Sequence, residues 1–440
     1  MYVKSIKLDN VKGFKSLKFD FQRPDGTYAG WTVFVGGNAS GKSTLLKSIA
    51  LTLIGPDSGR QLLGTPSGWI AGNLHRADAR VQIDWDKVHD GFKPGGKPPG
   101  EFHADVRWQL EKSDNLPVFR AAPLSKNKRT DPARRGPWNP NAPGWFTAGY
   151  GPMRRLTGSS SESVRFSVDR GCVSRFVTLF REDAALSESE TWLKTNHSRW
   201  LENKSTDLKE LLDGMSDLLS DQLLPAGMTI SKTTVDHVYV KDGRGLELPM
   251  RDISDGCRSI YATVLDLVHG MFAVYGVDGL FAKENGKTIV TQPGVVLIDE
   301  IEAHLHPAWQ RDIPEWFKLH FPRIQFFVTT HSPLVAQAAD PNGVFLLPSP
   351  TDSNTEARPL NSEEIDRLRL GRAEKTLLGV AFGLRTVRSG WANKMIERWK
   401  VLNAKTKAGV PLAPVEAEDL ENLKKQMVLV FEPGQEKENV

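Results

Sequence analysis

Residues Gly36 to Thr44 read GGNASGKST, and no other stretch restricts the fold of this chain so tightly. The spacing G-x-x-x-x-G-K-S runs through Gly36, Gly41, Lys42 and Ser43 without a mismatch. Glycines in such a loop let successive backbone N–H groups turn inward on a polyphosphate. The lysine reaches the β- and γ-phosphates, and the serine hydroxyl holds Mg²⁺. Asn38 and Thr44 belong to the same cradle. The chemistry requires a strand before the loop and a helix after it, and both are readable. Trp31 to Val35 is a short apolar, β-branched run, and Leu45, Leu46, Ile49 and Ala50 follow at helical spacing. The helix then points the positive end of its dipole at the anion. An α/β fold is expected around this loop.

The 440 residues suffice for two or three packed units with a large core. A net charge of +4 is mild for that length; it permits nucleic-acid binding without arguing for it. Cys172 and Cys257 are the only cysteines, which excludes a disulfide framework and points to a reducing compartment. Met1 to Lys4 leads straight into a strand pattern without signal-peptide architecture. The longest apolar run, Ser259 to Ala282, carries Asp266, His269 and Asp278, so it reads as a buried helix and turn rather than a membrane span. A cytoplasmic protein without a membrane partner is expected.

Along the chain, Ile6, Leu8, Val11 and then Leu17, Phe19, Phe21 alternate about a turn at Lys12-Gly13, as in a hairpin. The first helix pattern breaks at Gly55-Pro56. From there to about Trp145 the composition turns to Gly, Pro and Trp, with strand-like runs at Val81–Trp85 and Phe102–Leu110. A second loop, Ala121 to Pro143, holds Lys126, Lys128, Arg129, Arg134 and Arg135. It reads either as a DNA or RNA backbone contact or as a solvated loop, since Pro and Asn dominate it. Gly144 to Tyr150 is strand-like. Apolar residues at helical spacing from Ala185 to Leu201 and from Leu208 to Leu219 predict a helical lobe, and short strands follow to Leu248.

The second half of the site comes late in the sequence. Gly294 to Ile298 is an apolar strand of the kind buried in parallel sheets, and it ends in Asp299-Glu300. Beside a phosphate loop, Asp299 would hold the Mg²⁺ water shell and Glu300 would act as general base on the attacking water. Ile324 to Thr330 is another buried strand, ending at His331, on the carboxyl edge where open α/β sheets collect ligand-binding groups. Upstream, Ser254 is a good N-cap for a long apolar helix. Gly256 in its first turn allows close ligand approach, or the pair is an ordinary helix cap.

The order of these elements resembles the ATP-binding-cassette class, in the soluble branch related to RecF, SMC-type heads and OLD-family ATPases. Ile253 to Cys257 is similar to the L-S-G-G-Q signature in its L-S-D-G form, with Cys257 departing from the usual residue. Asp299 to Pro307 resembles the D-E-x-E-x-H-L-H-P run of these ATPases, and Thr329 to Pro333 their switch histidine. Lys12 sits where many relatives carry a basic residue near the phosphates. No glutamine matches the Q-loop; Tyr150-Gly151-Pro152 occupies that place. The resemblance implies an ABC-ATPase-like phosphate-loop fold with a mixed sheet, an inserted β-rich arm, a helical signature lobe and a small α-helical C-terminal extension. The ATPase domain would span 1–340, with the insert at about 56–143 and the helical lobe at about 172–280. Residues 341–440 would form the extension.

It also implies ATP and Mg²⁺ as ligands. Gly36, Asn38, Gly41, Lys42, Ser43, Thr44 and Lys12 would hold ATP, and Ser43 with Asp299 the metal. Glu300 and His331 would carry the catalytic step. Ser254 and Gly256 of a second copy would cap the γ-phosphate, so a homodimer or higher oligomer is implied. After His331 the chain shows no Asp-x-Asp strand end, so the TOPRIM nuclease domain that OLD enzymes append is not expected in this stretch. Instead, Ala373–Leu384, Ser389–Leu402 and Val415–Val430 read as helices, with Leu377, Leu378, Val380 and Phe382 as a packing extension or a docking platform. The layout is similar to ATPases of bacterial anti-phage systems of the Septu, retron-associated and PARIS kinds. That similarity implies a separately encoded effector, an HNH-type nuclease or another toxic protein. A RecF-like DNA-repair ATPase is the alternative, and a transporter subunit a further one.

Overall fold

The computed structural model describes residues 1–64, 66–111, 117–122, 130–156, 158, 171–348, 356–384 and 386–430. Strands β1 (Tyr2–Val11) and β2 (Phe14–Asp20) form the expected hairpin, in register from Ser5 opposite Asp20 to Val11 opposite Phe14. β3 (Gly30–Val35) feeds the phosphate loop, and α1 (Lys42–Leu63) leaves it. The break read at Gly55-Pro56 is a kink inside α1. Gly55 takes φ 78°, and Pro56, lacking an N–H, opens the resumed helix.

The β-rich insert is built into the domain rather than projecting as an arm. β4 (Arg76–Asp84), β5 (Phe102–Leu110) and β6 (Pro117–Ala121) extend the N-terminal hairpin into one antiparallel sheet of order β2-β1-β4-β5-β6. β4 pairs with β1 from Tyr2 opposite Asp84 to Asp9 opposite Asp78. Its alternating Ala77, Ala79, Val81 and Ile83 are buried, and they share a core with Ile6 and Leu8 of β1 and with Leu45, Leu46 and Ile49 of α1. A short helix, α2 (Pro132–Arg135), leads to β7 (Thr147–Tyr150).

The helical lobe contains α3 (Val177–Phe180), α4 (Ser187–Asn203) and α5 (Thr206–Ser220). A three-stranded sheet follows, β8 (Thr229–Thr233), β9 (Val238–Lys241) and β10 (Glu247–Pro249). Then come the signature helix α6 (Asp255–Tyr275) and the hairpin β11 (Phe281–Glu284) and β12 (Lys287–Val290). β13 (Gly294–Ile298), α7 (Pro307–His320), β14 (Ile324–Thr329), α8 (Pro333–Gln337), β15 (Val344–Leu346) and β16 (Arg358–Pro359) complete the domain with α9 (Ser362–Leu370).

The central sheet has the order β16-β15-β3-β14-β13-β7, and every pairing except that of β16 is parallel. Its strands are buried on both faces, which is why they read as continuous apolar runs. Trp31, Val33, Val296, Ile298, Phe326 and Val328 face the core shared with α6 and α7. Phe34, Val295, Leu297 and Phe327 face the core shared with α1 and the antiparallel sheet. Gln325 of β14 clips the two sheets together: its side chain accepts from Val3 N–H at 2.7 Å and donates to Val3 C=O at 2.8 Å.

The boundary expected at residue 340 falls inside the first unit. Val344, Phe345 and Leu346 are buried beside Val33, Phe34 and Val35 of β3, so the sheet continues past that point. The chain divides instead within α10 (Ala373–Leu378): Met1–Thr376 with Val380–Phe382 form one unit, and Leu377–Gly379 with Gly383–Val440 the other. In the second unit, α11 (Gly390–Lys407) and α12 (Pro414–Val430) pair around Leu402, Leu420 and Leu423. Arg398 to Asp419 at 2.9 Å and Lys405 to Glu416 at 2.7 Å join them.

Candidate functional site

Parallel pairing brings the carboxyl ends of the central strands to one edge, and the candidate residues follow from those ends. Thr329 of β14 lies opposite Phe34 of β3, and Ile298 of β13 opposite Val328. The phosphate loop, Asp299-Glu300 and His331 therefore leave three adjacent strands at the same edge. In the loop, Gly36 has φ 153° and Gly41 φ 92°, backbone that L side chains rarely adopt. A Cβ on Gly41 would also strike the Phe14 ring at 2.5 Å, so the β1–β2 turn packs against the loop. Gly41 caps α1 with no side-chain bond to its first turn, so no side chain occupies the anion-binding end of the helix.

The Lys42 ammonium donates to Gly36 C=O at 2.9 Å and Gly37 C=O at 3.0 Å, closing the cradle on itself. Burial lowers the Lys42 pKa, and the charges of Asp299, Glu300 and Glu302 act to raise it. Asn38 is exposed, and Ser43 and Thr44 are half-buried at the start of α1. Ser40 Oγ is buried there without a hydrogen-bond partner and packs against Gly36, where a Cβ would lie 2.7 Å from it. Lys12 lies next to α1, close enough to Lys47 that the two repel. Its ammonium sits 4.5 Å over the Trp69 ring, and burial, then Lys47, lower its pKa.

Across the cradle, Thr329 organises the acidic pair. Its hydroxyl donates to Asp299 Oδ1 at 2.5 Å and accepts the Glu300 N–H at 2.8 Å. Glu302 holds the histidine turn: its carboxylate accepts the Thr330 hydroxyl at 2.7 Å and the His331 N–H. His331 is exposed. Glu300 takes φ 45°, a left-handed conformation that costs a non-glycine residue free energy unless its surroundings enforce it. Arg154, after β7, supplies that enforcement. Its guanidinium is buried and donates to the carbonyls of Gly151, Asp299, Glu300 and Ile301 at 2.6 to 3.2 Å, and to Ser259 Oγ at 3.2 Å. Burial pushes its pKa down to about 10, opposed by Glu302, Asp299 and Glu300, and it stays charged at neutral pH.

The signature helix meets this loop from the other side. Ser254 makes no side-chain cap to α6; its hydroxyl donates to Cys257 Sγ at 3.1 Å. Gly256 is packed against the His304 carbonyl so closely that a Cβ would lie 2.4 Å from the oxygen. Among the described residues, neither Ser254 nor Gly256 hydrogen-bonds to the loop 36–44. At the Q-loop position, the Tyr150 hydroxyl is committed to Asp266 of α6 at 2.9 Å. Of the basic loop, Lys126, Lys128 and Arg129 lie outside the described residues. Arg135 is bonded to the carbonyls of Pro94 and Gly96, and Arg134 to Asp131 at 3.7 Å.

The donor set suits a nucleotide with Mg²⁺. Asp299 keeps one oxygen beyond its Thr329 bond, the Ser43 hydroxyl stands at the loop, and among the described residues no cluster of three His, Cys, Asp or Glu could hold a metal alone. Mg²⁺ is commonly held in this way, by one carboxylate, waters and the phosphates themselves. Thr329, Glu302 and Arg154 are the site residues that motif reading left without a role.

A protein family described as "AAA domain, putative AbiEii toxin, Type IV TA system" matches residues 31–336, and the chain belongs to it. The match runs from the strand before the phosphate loop into the helix after His331. The protein named "Retron Ec83 probable ATPase" from Escherichia coli is 33% identical over 400 residues, covering 78% of this chain and 71% of that one. The Septu protein PtuA of Bacillus mycoides (strain KBAB4) is 24% identical over 334 residues, covering 76% of this chain but 38% of the relative. This chain thus spans well under half of that Septu protein. Among solved structures, an SMC head bound to the C-winged helix domain of ScpA aligns with a TM-score of 0.47 at 16% identity, over 83% of this chain and 99% of that chain. The chain thus carries a domain of this AAA family and is related to the Septu and retron proteins. No helix among the described residues is long and apolar enough to cross a membrane.

Proposed function

We propose that this chain binds and hydrolyses ATP as a homodimer or higher oligomer, and that its nucleotide state controls a separately encoded effector of an anti-phage defence complex, a nuclease of the HNH type in the leading case. The observation that carries the ATPase reading is the juxtaposition at one sheet edge of the Lys42 cradle with the Thr329-linked Asp299 and Glu300. The relatedness to retron and Septu proteins supports the defence setting.

In this reading the N–H groups from Gly36 to Thr44 hold the phosphates, with Asn38 at the loop tip and Lys12 near its base. Binding draws the Lys42 ammonium off the Gly36 and Gly37 carbonyls and onto the β- and γ-phosphates. Ser43 and Asp299 would hold Mg²⁺, which would supply charge neutralisation on the phosphates. Glu300 accepts a proton from the water that attacks the γ-phosphorus, the bond to the β-bridging oxygen breaks, and ADP and phosphate form. His331, on the turn fixed by Glu302, contacts the γ-phosphate side. Ser254 and Gly256 of a second copy close the site from above, since their own chain's α6 start is joined to the Asp299–Leu305 loop rather than to its own cradle.

The test uses two variants of the full chain. Lys42→Ala is expected to lose nucleotide affinity and turnover together. Glu300→Gln is expected to keep affinity, lose turnover, and run as a dimer with ATP. A Glu300→Gln protein that stays monomeric with ATP overturns the two-copy arrangement, and an unaffected Lys42→Ala overturns the site. Purification from the native operon is expected to bring down the effector. Exposed Leu378 and Trp391, at 44% and 68%, support the C-terminal helical unit as its docking surface.

A further inference from the structure

An arginine carries five N–H donors in a fixed fork, and Arg154 has a partner for each: Ser259 Oγ for Nε, the carbonyls of Gly151 and Asp299 for Nη1, and those of Glu300 and Ile301 for Nη2. The side chain is 2% exposed and, among the described residues, no carboxylate is within ion-pair distance of it. A buried charge without a paired counter-ion is costly unless dipoles satisfy it. Here three consecutive carbonyls of the acidic loop do so, and the middle one belongs to the left-handed Glu300. Of the other two donors, one reaches the Gly151 carbonyl and one Ser259, in the second turn of the helix that Ser254 begins.

We infer that Arg154 is a positioning residue: it fixes the backbone of Glu300 opposite Lys42 and joins that backbone to the signature helix, so that Glu300 and Ser254 move as one body. The inference rests on the ATPase reading for its catalytic consequence, but the structural part stands apart from it. Arg154 touches no nucleotide-binding group and acts only through the loop it holds. Lysine cannot replace it, because three donors on a single nitrogen cannot span three successive carbonyls and a hydroxyl on a second helix.

Beside Arg154 lies a cavity of about 270 Å³ lined by Met153, Arg155, Arg258, Ser259 and His304, which gives a small cation access to the place the side chain occupies. The experiment therefore compares Arg154→Lys, Arg154→Ala and Ser259→Ala in the full chain. Deuterium uptake over residues 299–305 is followed without nucleotide, and ATP affinity and turnover are measured with and without millimolar guanidinium.

Both Arg154 variants are expected to exchange faster in that loop. Turnover is expected to fall by about 10- to 100-fold while nucleotide affinity stays within about threefold, because the reacting geometry and not the phosphate cradle is disturbed. Guanidinium is expected to restore turnover to Arg154→Ala and not to Arg154→Lys. Ser259→Ala, which leaves the three carbonyl bonds, is expected to lower turnover without loosening residues 299–301. Parental exchange and turnover in Arg154→Lys overturn the inference, as does a loss of turnover matched by an equal loss of affinity. Full turnover in Ser259→Ala overturns the link to the signature helix. If the parent itself shows no Lys42-dependent turnover, the ATPase reading fails, and loop exchange still decides whether Arg154 holds Glu300.

Discussion

Replacing Gly256 with alanine separates two explanations for a glycine at the start of the signature helix. If the glycine only leaves room for a phosphate, alanine is harmless until nucleotide binds, and it gains helix propensity. The structure gives a different expectation. The added Cβ would lie 2.4 Å from the His304 carbonyl oxygen, 3.2 Å from its carbon and 3.5 Å from Leu305 Cδ2. The first contact is about 1 Å short of an ordinary van der Waals separation. Neither side yields easily. α6 is seated by buried Cys257, Ile260 and Tyr261, and the loop is held by Arg154 and by turns from Ala303 N–H to Glu300 C=O and from Leu305 N–H to Glu302 C=O. Overpacking of this kind costs about 1–3 kcal/mol, against about 0.5–1 kcal/mol recovered from replacing glycine in a helix. The net runs from about zero to a loss of about 2.5 kcal/mol, which for a unit of this size lowers the thermal midpoint by at most about 3 °C. Shifting the Glu300 loop by a large fraction of 1 Å is far more costly to turnover, on the order of 10- to 100-fold. Differential scanning calorimetry without nucleotide, paired with a phosphate-release assay, reads both quantities. A nucleotide-free midpoint that is raised refutes the packing argument, whatever happens to turnover.

Glu302→Gln removes the charge from the group that accepts the Thr330 hydroxyl and the His331 N–H, and leaves one acceptor for two donors. A loss of about 1–3 kcal/mol is expected at this turn, read as roughly tenfold slower turnover with ATP affinity retained; turnover at the parental rate would show that the turn needs no carboxylate. Asp86, outside the site, links the loop after β4 to Arg323 ahead of β14 at 2.7 Å. Burial alone would raise its pKa, but hydrogen bonds from the His89 N–H and ring and from the Val88 N–H outweigh it and hold the carboxyl down from 3.8 to about 2. A carboxyl with a depressed folded pKa stabilises the fold above its unfolded value and loses that contribution as pH falls through the folded one. The thermal midpoint of the parent should therefore exceed that of Asp86→Asn above about pH 4, and the gap should close toward pH 2; a gap independent of pH would contradict the assignment.

What the sequence shows and what it hides follow from how far each relationship reaches. The cradle, Asp299-Glu300 and His331 are legible because each directly follows an apolar strand, and parallel strands buried on both faces write themselves as such runs. The alternation of Val81 and Ile83 marks β4 as a half-buried strand, but not that its partner is β1, on the far side of α1, so the segment reads as an insert when it completes a sheet. Val344 to Leu346 are too few to announce a strand, and the sequence therefore reads as closing the domain near 340 rather than at Thr376. Arg154 is the sharpest case. Beside exposed Arg155 in the run Met-Arg-Arg, nothing local distinguishes it, since its partners are carbonyls about 145 residues away, and carbonyls belong to every residue. The only hint is its place just past the end of β7, at the edge where the other strands deliver their site residues. Glu300, Thr329, Glu302 and Arg154 thus form one hydrogen-bonded frame whose motif residues are visible and whose supports are not. Within that frame the start of α6 is tied to the acidic loop rather than to the phosphate cradle: the Ser254 hydroxyl turns to Cys257 instead of capping the helix, and Gly256 is packed against the His304 carbonyl so closely that nothing larger than hydrogen fits between them.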